Sequence, residues 1–273
     1  IALKEFDKKM MIFKDNKVIN WHEHVHFKAG TRKLDEKACD DLVELARLTY
    51  MDRIVCSLPL PGGIPKPDDV EECNNTVAIA MKRHPGIIMG MAFINPGYTK
   101  EALDEIDRCI NDLGMIGIKL YNHYFISDPV VRPIIEKSIK LDIPILQHAG
   151  KRTVNPEIQP FLSNGIHFSA AAKEYPEAVF IHGHIGGGGD WCWSLKAMAD
   201  CPNVFTDISG SVYDMGLMEK TAELMGKDRM LFGTDGSFAP SIGKLLGARI
   251  PDDDKIKILN NPKFERYLER GMR

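Results

Sequence analysis

Eight short runs rich in β-branched and other apolar residues alternate along the chain with segments of helical periodicity. They comprise residues 18–24, 53–58, 87–94, 116–120, 143–148, 179–184, 204–207 and 230–232, the last continuing toward Asp235. Strands that alternate with helices form parallel sheets, because parallel neighbours are usually joined by a helical crossover. Several runs are almost continuously apolar, as strands covered on both faces are. The pattern predicts an α/β fold.

A single closed barrel accounts for this alternation most simply. The runs begin about 30 residues apart, fill the 273-residue chain and are not interrupted by a Ser/Gly-rich linker. A (β/α)8 barrel typically takes about 250 residues in one domain. We therefore predict one (β/α)8 TIM barrel over residues 1–273. A doubly wound open sheet has the same alternation and is the competing arrangement.

The segments between the runs carry helix signals. Apolar residues recur at helical spacing over residues 100–113, which predicts an amphipathic helix there. Asp128 followed by Pro129 predicts a helix start, with Asp as the cap and Pro in the first turn. Asp214 and Gly226 predict the start and the end of another helix.

Composition and charge exclude several functional classes. Apolar residues make up 44% and charged residues 27% of the chain, which is ordinary globular composition. The net charge is -3 and no basic stripe is present, so we expect no nucleic-acid partner. No run approaches the roughly 18 apolar residues that span a membrane, so we expect no membrane partner and a small-molecule substrate. The six cysteines form no C-x-x-C pair and the first residues have no signal-peptide core. We expect a cytoplasmic protein with reduced thiols; homo-oligomerisation is left open.

The histidines are concentrated at one kind of position. Seven of the nine lie at or just beyond the carboxyl end of a predicted strand: His22, His24, His26, His123, His148, His182 and His184. Barrel enzymes build their active sites from the loops at that end of the strands. The distribution predicts an active site that uses several imidazoles.

The first run ends in His22-Glu23-His24. Side chains alternate along a strand, so the two histidines are expected to point into the barrel and Glu23 toward the helices. Two imidazoles on one face can bind one cation. The alternative is a polar strand end whose histidines bond to nearby loops, and His26 offers a second H-x-H register.

Three further runs end in metal-ligand residue types. The fifth ends in His148, the sixth in His184 and the eighth in Asp235. Taken singly, each has an ordinary structural explanation, such as a loop hydrogen bond or a turn cap. Together they would supply nitrogen and oxygen ligands at one barrel mouth, which is what a catalytic divalent-metal site requires.

In this order, these strand ends resemble the motifs of the amidohydrolase superfamily, and most closely its amidohydrolase-2 branch of metal-dependent hydrolases and decarboxylases. The resemblance implies a metal held by His22, His24, His148 and Asp235, with His184 as a catalytic imidazole beside it. The motifs are Ile19-Asn-Trp-His-Glu-His24, Gly117-Ile-Lys119, Gln147-His148, His184-Ile-Gly-Gly187 and Phe232-Gly-Thr-Asp235.

Four residues qualify what the resemblance implies. Asn20 stands where the family usually has Asp, which removes an anion near the metal. His182 is expected on the same face of its strand as His184 and competes with it; we prefer His184 because the His-Ile-Gly-Gly sequence lies there. Lys119 corresponds to a lysine that dinuclear relatives carbamylate to bridge two ions; it could instead stay unmodified or bind a substrate carboxylate, and we predict one ion and an unmodified lysine. Arg152 is either a substrate-binding cation or part of a solvated loop.

The function favoured at this point is hydrolysis of an amide, lactone or ester bond of a small molecule through a metal-activated water. Zinc suits the mixed ligand set best, and manganese fits the same ligands. Asp235 would accept the proton of the water, and His184 would stabilise the oxyanion. The alternative is non-hydrolytic decarboxylation of an aromatic or unsaturated carboxylic acid on the same site. A barrel that binds a ligand without catalysis is the third hypothesis.

Overall fold

The computed structural model describes residues 2–150 and 159–271. Within them eight strands run parallel, and each pairs with the next strand along the chain. Each strand lies within the run that predicted it. They are β1 (Ile19–His24), β2 (Arg53–Ser57), β3 (Ile88–Phe93), β4 (Gly117–Leu120), β5 (Ile145–His148), β6 (Phe180–Gly183), β7 (Val204–Asp207) and β8 (Met230–Leu231).

Backbone hydrogen bonds between β1 and the segment after β8 close the sheet. The Trp21 N–H donates to the Phe232 carbonyl oxygen at 2.9 Å, and the Asp235 N–H donates to the His22 carbonyl oxygen at 2.8 Å. The strand order runs from β1 to β8 without the reversal that a doubly wound sheet requires. The predicted (β/α)8 barrel is therefore confirmed, and the doubly wound alternative is wrong.

Helices α2 to α8 connect successive strands, and α9 follows β8. Among the described residues the α-helices are α1 (Ala2–Lys14), α2 (Glu36–Leu48), α3 (Pro67–Arg83), α4 (Thr99–Asp107), α5 (Arg132–Leu141), α6 (Gly165–Glu174), α7 (Trp191–Met198), α8 (Leu217–Met225), α9 (Phe238–Gly247), α10 (Asp252–Leu259) and α11 (Glu265–Arg270). In the described part of the chain, every helix is too short or too polar to cross a membrane.

The helix predictions hold in part. Helix α4 continues as a π-helical segment, Arg108–Asp112, so residues 100–112 are helical but change their winding. Asp128 precedes a short 3-10 turn that leads directly into α5, as predicted, but its carboxylate accepts from the Phe125 N–H and makes no capping bond. Asp214 does not begin α8, since the helix starts after Gly216, and its carboxylate accepts a hydrogen bond from Trp191 Nε1 instead. Gly226 ends the helix as predicted.

The barrel interior is apolar toward the amino-terminal end of the strands. An interior cluster takes side chains from seven of the eight strands, among them Trp21, Leu146 and Leu231, and from Ile116, which directly precedes β4. Phe264 from the C-terminal segment closes its amino-terminal end, with its ring 4.9 Å from that of Trp21. Burying large apolar side chains of this kind stabilises the fold by about 1.5–3 kcal/mol each. The inward-facing polar side chains collect at the opposite, carboxyl end of the strands.

Candidate metal centre

A bulge in β1 brings two histidines into the barrel. Between Asn20 and Glu23, β1 has one residue more than the facing part of β2. An extra residue breaks the alternation of side chains along a strand. Trp21 therefore packs in the interior cluster while its neighbour His22 also faces the barrel axis, where it meets residues from β4 and β7. Regular alternation would have placed these two side chains on opposite faces.

His22 is buried and bonded through both ring nitrogens. Its Nδ1–H donates to Asp207 Oδ2 at 2.9 Å, since a carboxylate only accepts, and Lys119 Nζ donates to Nε2 at 2.6 Å. Burial and then the charge of Lys119 lower the pKa of the His22 imidazole, and two carboxylates oppose that shift. The bond to Asp207 fixes the tautomer and leaves the lone pair on Nε2, where it accepts from Lys119. The Nε2 atom lies 3.7 Å from Asp235 Oδ1.

His24 presents the same ring nitrogen to the same carboxylate. Its Nδ1–H donates to the Ser57 carbonyl oxygen at 3.1 Å, and its Nε2 lies 3.0 Å from Asp235 Oδ1. One ligand atom from each of His22, His24 and Asp235 lies within 4.8 Å of the others. A tetrahedral ion with bonds of about 2.0–2.1 Å separates neighbouring ligands by about 3.3 Å. The observed 3.0 and 3.7 Å bracket that value, so these residues fit a divalent cation.

His148, the fourth residue of the implied ligand set, is not part of this close group. It lies beside His184, whose Nε2 is 2.8 Å from His148 Nδ1. His184 Nδ1 in turn lies 2.9 Å from Ser209 Oγ and 3.4 Å from Asp235 Oδ2. Burial lowers the pKa of His184 to about 3 and that of His148 well below its usual value. The two form a neutral imidazole pair next to the candidate ligands.

Asp207 is the main site residue that the sequence analysis missed. Its carboxylate ends β7 and accepts from His22 Nδ1, the Ser209 N–H at 2.9 Å and the Ser209 hydroxyl. Burial would raise the pKa of Asp207, but His22 and these hydrogen bonds hold it below its usual value. It also forms a second candidate ligand group with His22 and His184. The sequence could have indicated Asp207, because the seventh run ends in a carboxylate as the eighth does.

Asp207 also compensates for the departure at position 20. Asn20 donates through Nδ2 to Thr234 Oγ at 2.6 Å, and its Oδ1 accepts from the Thr234 N–H at 3.1 Å. It therefore holds the segment after β8, while the anion beside His22 comes from β7. Glu23, expected to face the helices, is buried against that same segment.

Lys119 is fully buried at the end of β4. Burial lowers the pKa of its amine to about 8, although Asp235, Asp207 and Glu23 oppose the shift. Its Nζ contacts the His22 nitrogen that faces Asp235. At this position the Lys119 amine could bind a substrate carboxylate, and a Lys119 carbamate could bind a second ion.

His184, not His182, lies at the pocket. The backbone of His184 is left-handed, with φ of 65°, and this turns its ring into the barrel mouth. His182 packs against Phe168 of α6, with ring centroids 4.9 Å apart. A cavity of about 150 Å³ is lined by His148, His184, Asp235, Gln159, Ser211 and Ser237, among others. The candidate Arg152 lies outside the described residues.

Comparison with known proteins agrees with this architecture. The 2-keto-4-carboxy-3-hexenedioate hydratase of Sphingobium sp. is 24% identical over 60% of this chain, which spans only 57% of that protein. The 2-amino-3-carboxymuconate-6-semialdehyde decarboxylase of Dictyostelium discoideum is 21% identical over 82% of this chain and 73% of that one. A dihydroxybenzoic acid decarboxylase from Polaromonas sp., solved with manganese and 2-nitroresorcinol, is 17% identical with a TM-score of 0.71, covering 93% and 97% of the two chains.

The solved structure, at this identity, shows a shared fold and no more. The amidohydrolase family itself matches residues 66–261, well over half of the chain. That match confirms the resemblance inferred from the strand-end motifs. The chain belongs to the amidohydrolase family and is an enzyme.

Proposed function

We propose that this enzyme is a metal-dependent decarboxylase of an aromatic or unsaturated carboxylic acid. The observation that carries the proposal is a cation-ligand group, His22, His24 and Asp235, that adjoins the imidazole pair of His148 and His184. Decarboxylation needs both parts: a site that binds the carboxylate and a group that delivers a proton to the carbon.

The ion is proposed to be held by His22, His24 and Asp235, with His148 completing the set. When bound, it would act as a Lewis acid toward the substrate carboxylate and an adjacent oxygen. Imidazole and carboxylate ligands suit zinc and manganese alike. Manganese in the solved Polaromonas decarboxylase supports testing that ion first.

The proton step is assigned to His184. His184 is neutral at rest, because burial lowers its pKa to about 3. Its Nδ1 lies 3.4 Å from Asp235 Oδ2, and the two groups take up a proton from solvent as negative charge develops on the substrate carbon. As the bond to the carboxyl carbon breaks, its electron pair stays on the substrate carbon and that carbon takes this proton. One carbon dioxide leaves for each proton consumed. The Ser209 hydroxyl, 2.9 Å from Nδ1, keeps the ring oriented during the transfer.

Hydrolysis was the leading hypothesis from the sequence, but the reactions named for similar proteins support decarboxylation instead. One curated relative and the solved Polaromonas protein are named as decarboxylases. Hydration is the second candidate, because the 24% identical relative is named as a hydratase. All three reactions can use the same ligand set, and their products differ.

The test is to load the purified protein with manganese or zinc and incubate it with a panel of aromatic and unsaturated carboxylic acids. We expect metal-dependent release of carbon dioxide, lost in His184→Asn at unchanged metal content. Addition of water without carbon dioxide would establish the hydratase reaction instead. Turnover confined to esters, amides or lactones would refute the proposal in favour of hydrolysis.

A further inference from the structure

The residues on either side of Asp235 are bound by a buried carboxylate from β1. Glu23 Oε1 accepts from the Gly236 N–H at 2.7 Å, and its Oε2 accepts from the Thr234 hydroxyl. Glu23 is 3% exposed, so water competes little for these bonds. One side chain thus holds both neighbours of Asp235.

Asn20 sets the direction of the Thr234 hydroxyl. Its Nδ2 donates to Thr234 Oγ at 2.6 Å, so the Thr234 proton is free to point at Glu23. The Asn20 Oδ1 accepts from the Thr234 N–H at 3.1 Å. Asn20, Glu23 and Thr234 therefore form one buried network, which we call the β1 clasp.

The backbone that the clasp holds is one that seldom forms unaided. Asp235 has φ of 47° and Gly236 has φ of 73°, two consecutive left-handed residues. A residue with a Cβ persists in that region only when its surroundings hold it there, and such residues cluster at functional sites. This conformation aims the Asp235 carboxylate at His24 Nε2, 3.0 Å away.

We propose that Glu23 is a positioning residue that fixes the Asp235 carboxylate for metal binding through the β1 clasp. The inference rests on the proposed function only in taking Asp235 as a metal ligand, whatever reaction follows. Glu23→Gln would leave the Thr234 proton without its acceptor, because the amide nitrogen that replaces Oε2 is a donor. Thr234→Val would remove both bonds of the hydroxyl, whereas Thr234→Ser would keep them.

Calorimetric titration of the apoprotein with manganese chloride tests this. Loss of partners that orient a ligand typically weakens metal affinity about 10–100-fold. We expect a change of that size in Glu23→Gln and Thr234→Val, and wild-type affinity in Thr234→Ser. Amide hydrogen exchange at Gly236 should also accelerate in Glu23→Gln without metal. Glu105→Gln is the matched control, since Glu105 is a largely buried, hydrogen-bonded carboxylate on α4.

Wild-type metal affinity and Gly236 exchange in Glu23→Gln would overturn the inference. Should that variant fail to fold, equal affinity of Thr234→Val and Thr234→Ser would overturn it in the same way. A wild-type chain that binds no divalent metal would overturn both this inference and the proposed function. Tight metal binding weakened in the clasp variants, without carbon dioxide release from any acid, would refute the decarboxylase proposal and support the clasp.

Discussion

Replacing Asp207 with Asn should reverse the tautomer of His22. The Oδ1 of Asp207 accepts from the Ser209 N–H at 2.9 Å and from the Ser209 hydroxyl, so an Asn oxygen is required on that side. The amide nitrogen would then face His22 Nδ1, 2.9 Å away, and two N–H donors cannot bond each other. His22 would have to move its proton to Nε2, the nitrogen that faces His24 and Asp235. A protonated Nε2 cannot bind a metal ion.

The expected loss of metal affinity is about 10–100-fold, the usual effect of losing a group that orients a ligating histidine. That corresponds to about 1.4–2.8 kcal/mol. Manganese titration would measure it, and nitrogen-15 NMR of the apoprotein would show which His22 nitrogen carries the proton. Asp107→Asn, which alters a surface pair with Lys137, is the matched control. Unchanged affinity with the proton still on Nδ1 would refute the reasoning.

Three further substitutions test other parts of the site. Lys119→Ala should lower activity while metal content stays near one ion per chain; two ions in the wild type, with bicarbonate needed to reactivate the apoprotein, would instead favour a bridging carbamate. Asp235→Asn should abolish turnover without unfolding the barrel, as checked by activity assay and thermal melting; retained turnover with metal bound would exclude its assigned role. Gly183→Ala places a Cβ 2.8 Å from the Gln147 carbonyl oxygen and 3.3 Å from His22 Cε1, and should destabilise the protein by about 1–3 kcal/mol in denaturant unfolding, whereas Gly243→Ala, with open space around its Cβ, should not.

The fold was predictable because a closed parallel barrel repeats one local pattern eight times. Each apolar, β-branched run forms a strand, because a run of apolar residues is what a strand buried on both faces requires. Closure was not predictable from that pattern, because an open doubly wound sheet has the same alternation. It depends on long-range backbone bonds such as that from Trp21 to Phe232.

The candidate site was predictable to the extent that it follows strand ends. His22, His24, His184 and Asp235 converge in the structure, as their positions after separate strands suggested. Regular alternation of side chains predicted the wrong face where the backbone is irregular. It placed His182 and His184 on one face, whereas the left-handed turn at His184 separates them.

Two buried carboxylates, one on β7 and one on β1, hold the candidate ligands. Asp207 orients His22 across the barrel, and Glu23 holds the turn that carries Asp235. Both also reach the cavity wall: Asp207 bonds Ser209, which precedes the lining residues Gly210 and Ser211, and Glu23 bonds Gly236, which lies between the lining residues Asp235 and Ser237. Substitutions in these two segments should therefore alter ligand geometry and substrate binding together. A substitution at Leu162, which lines the cavity away from both carboxylates, should change substrate binding alone.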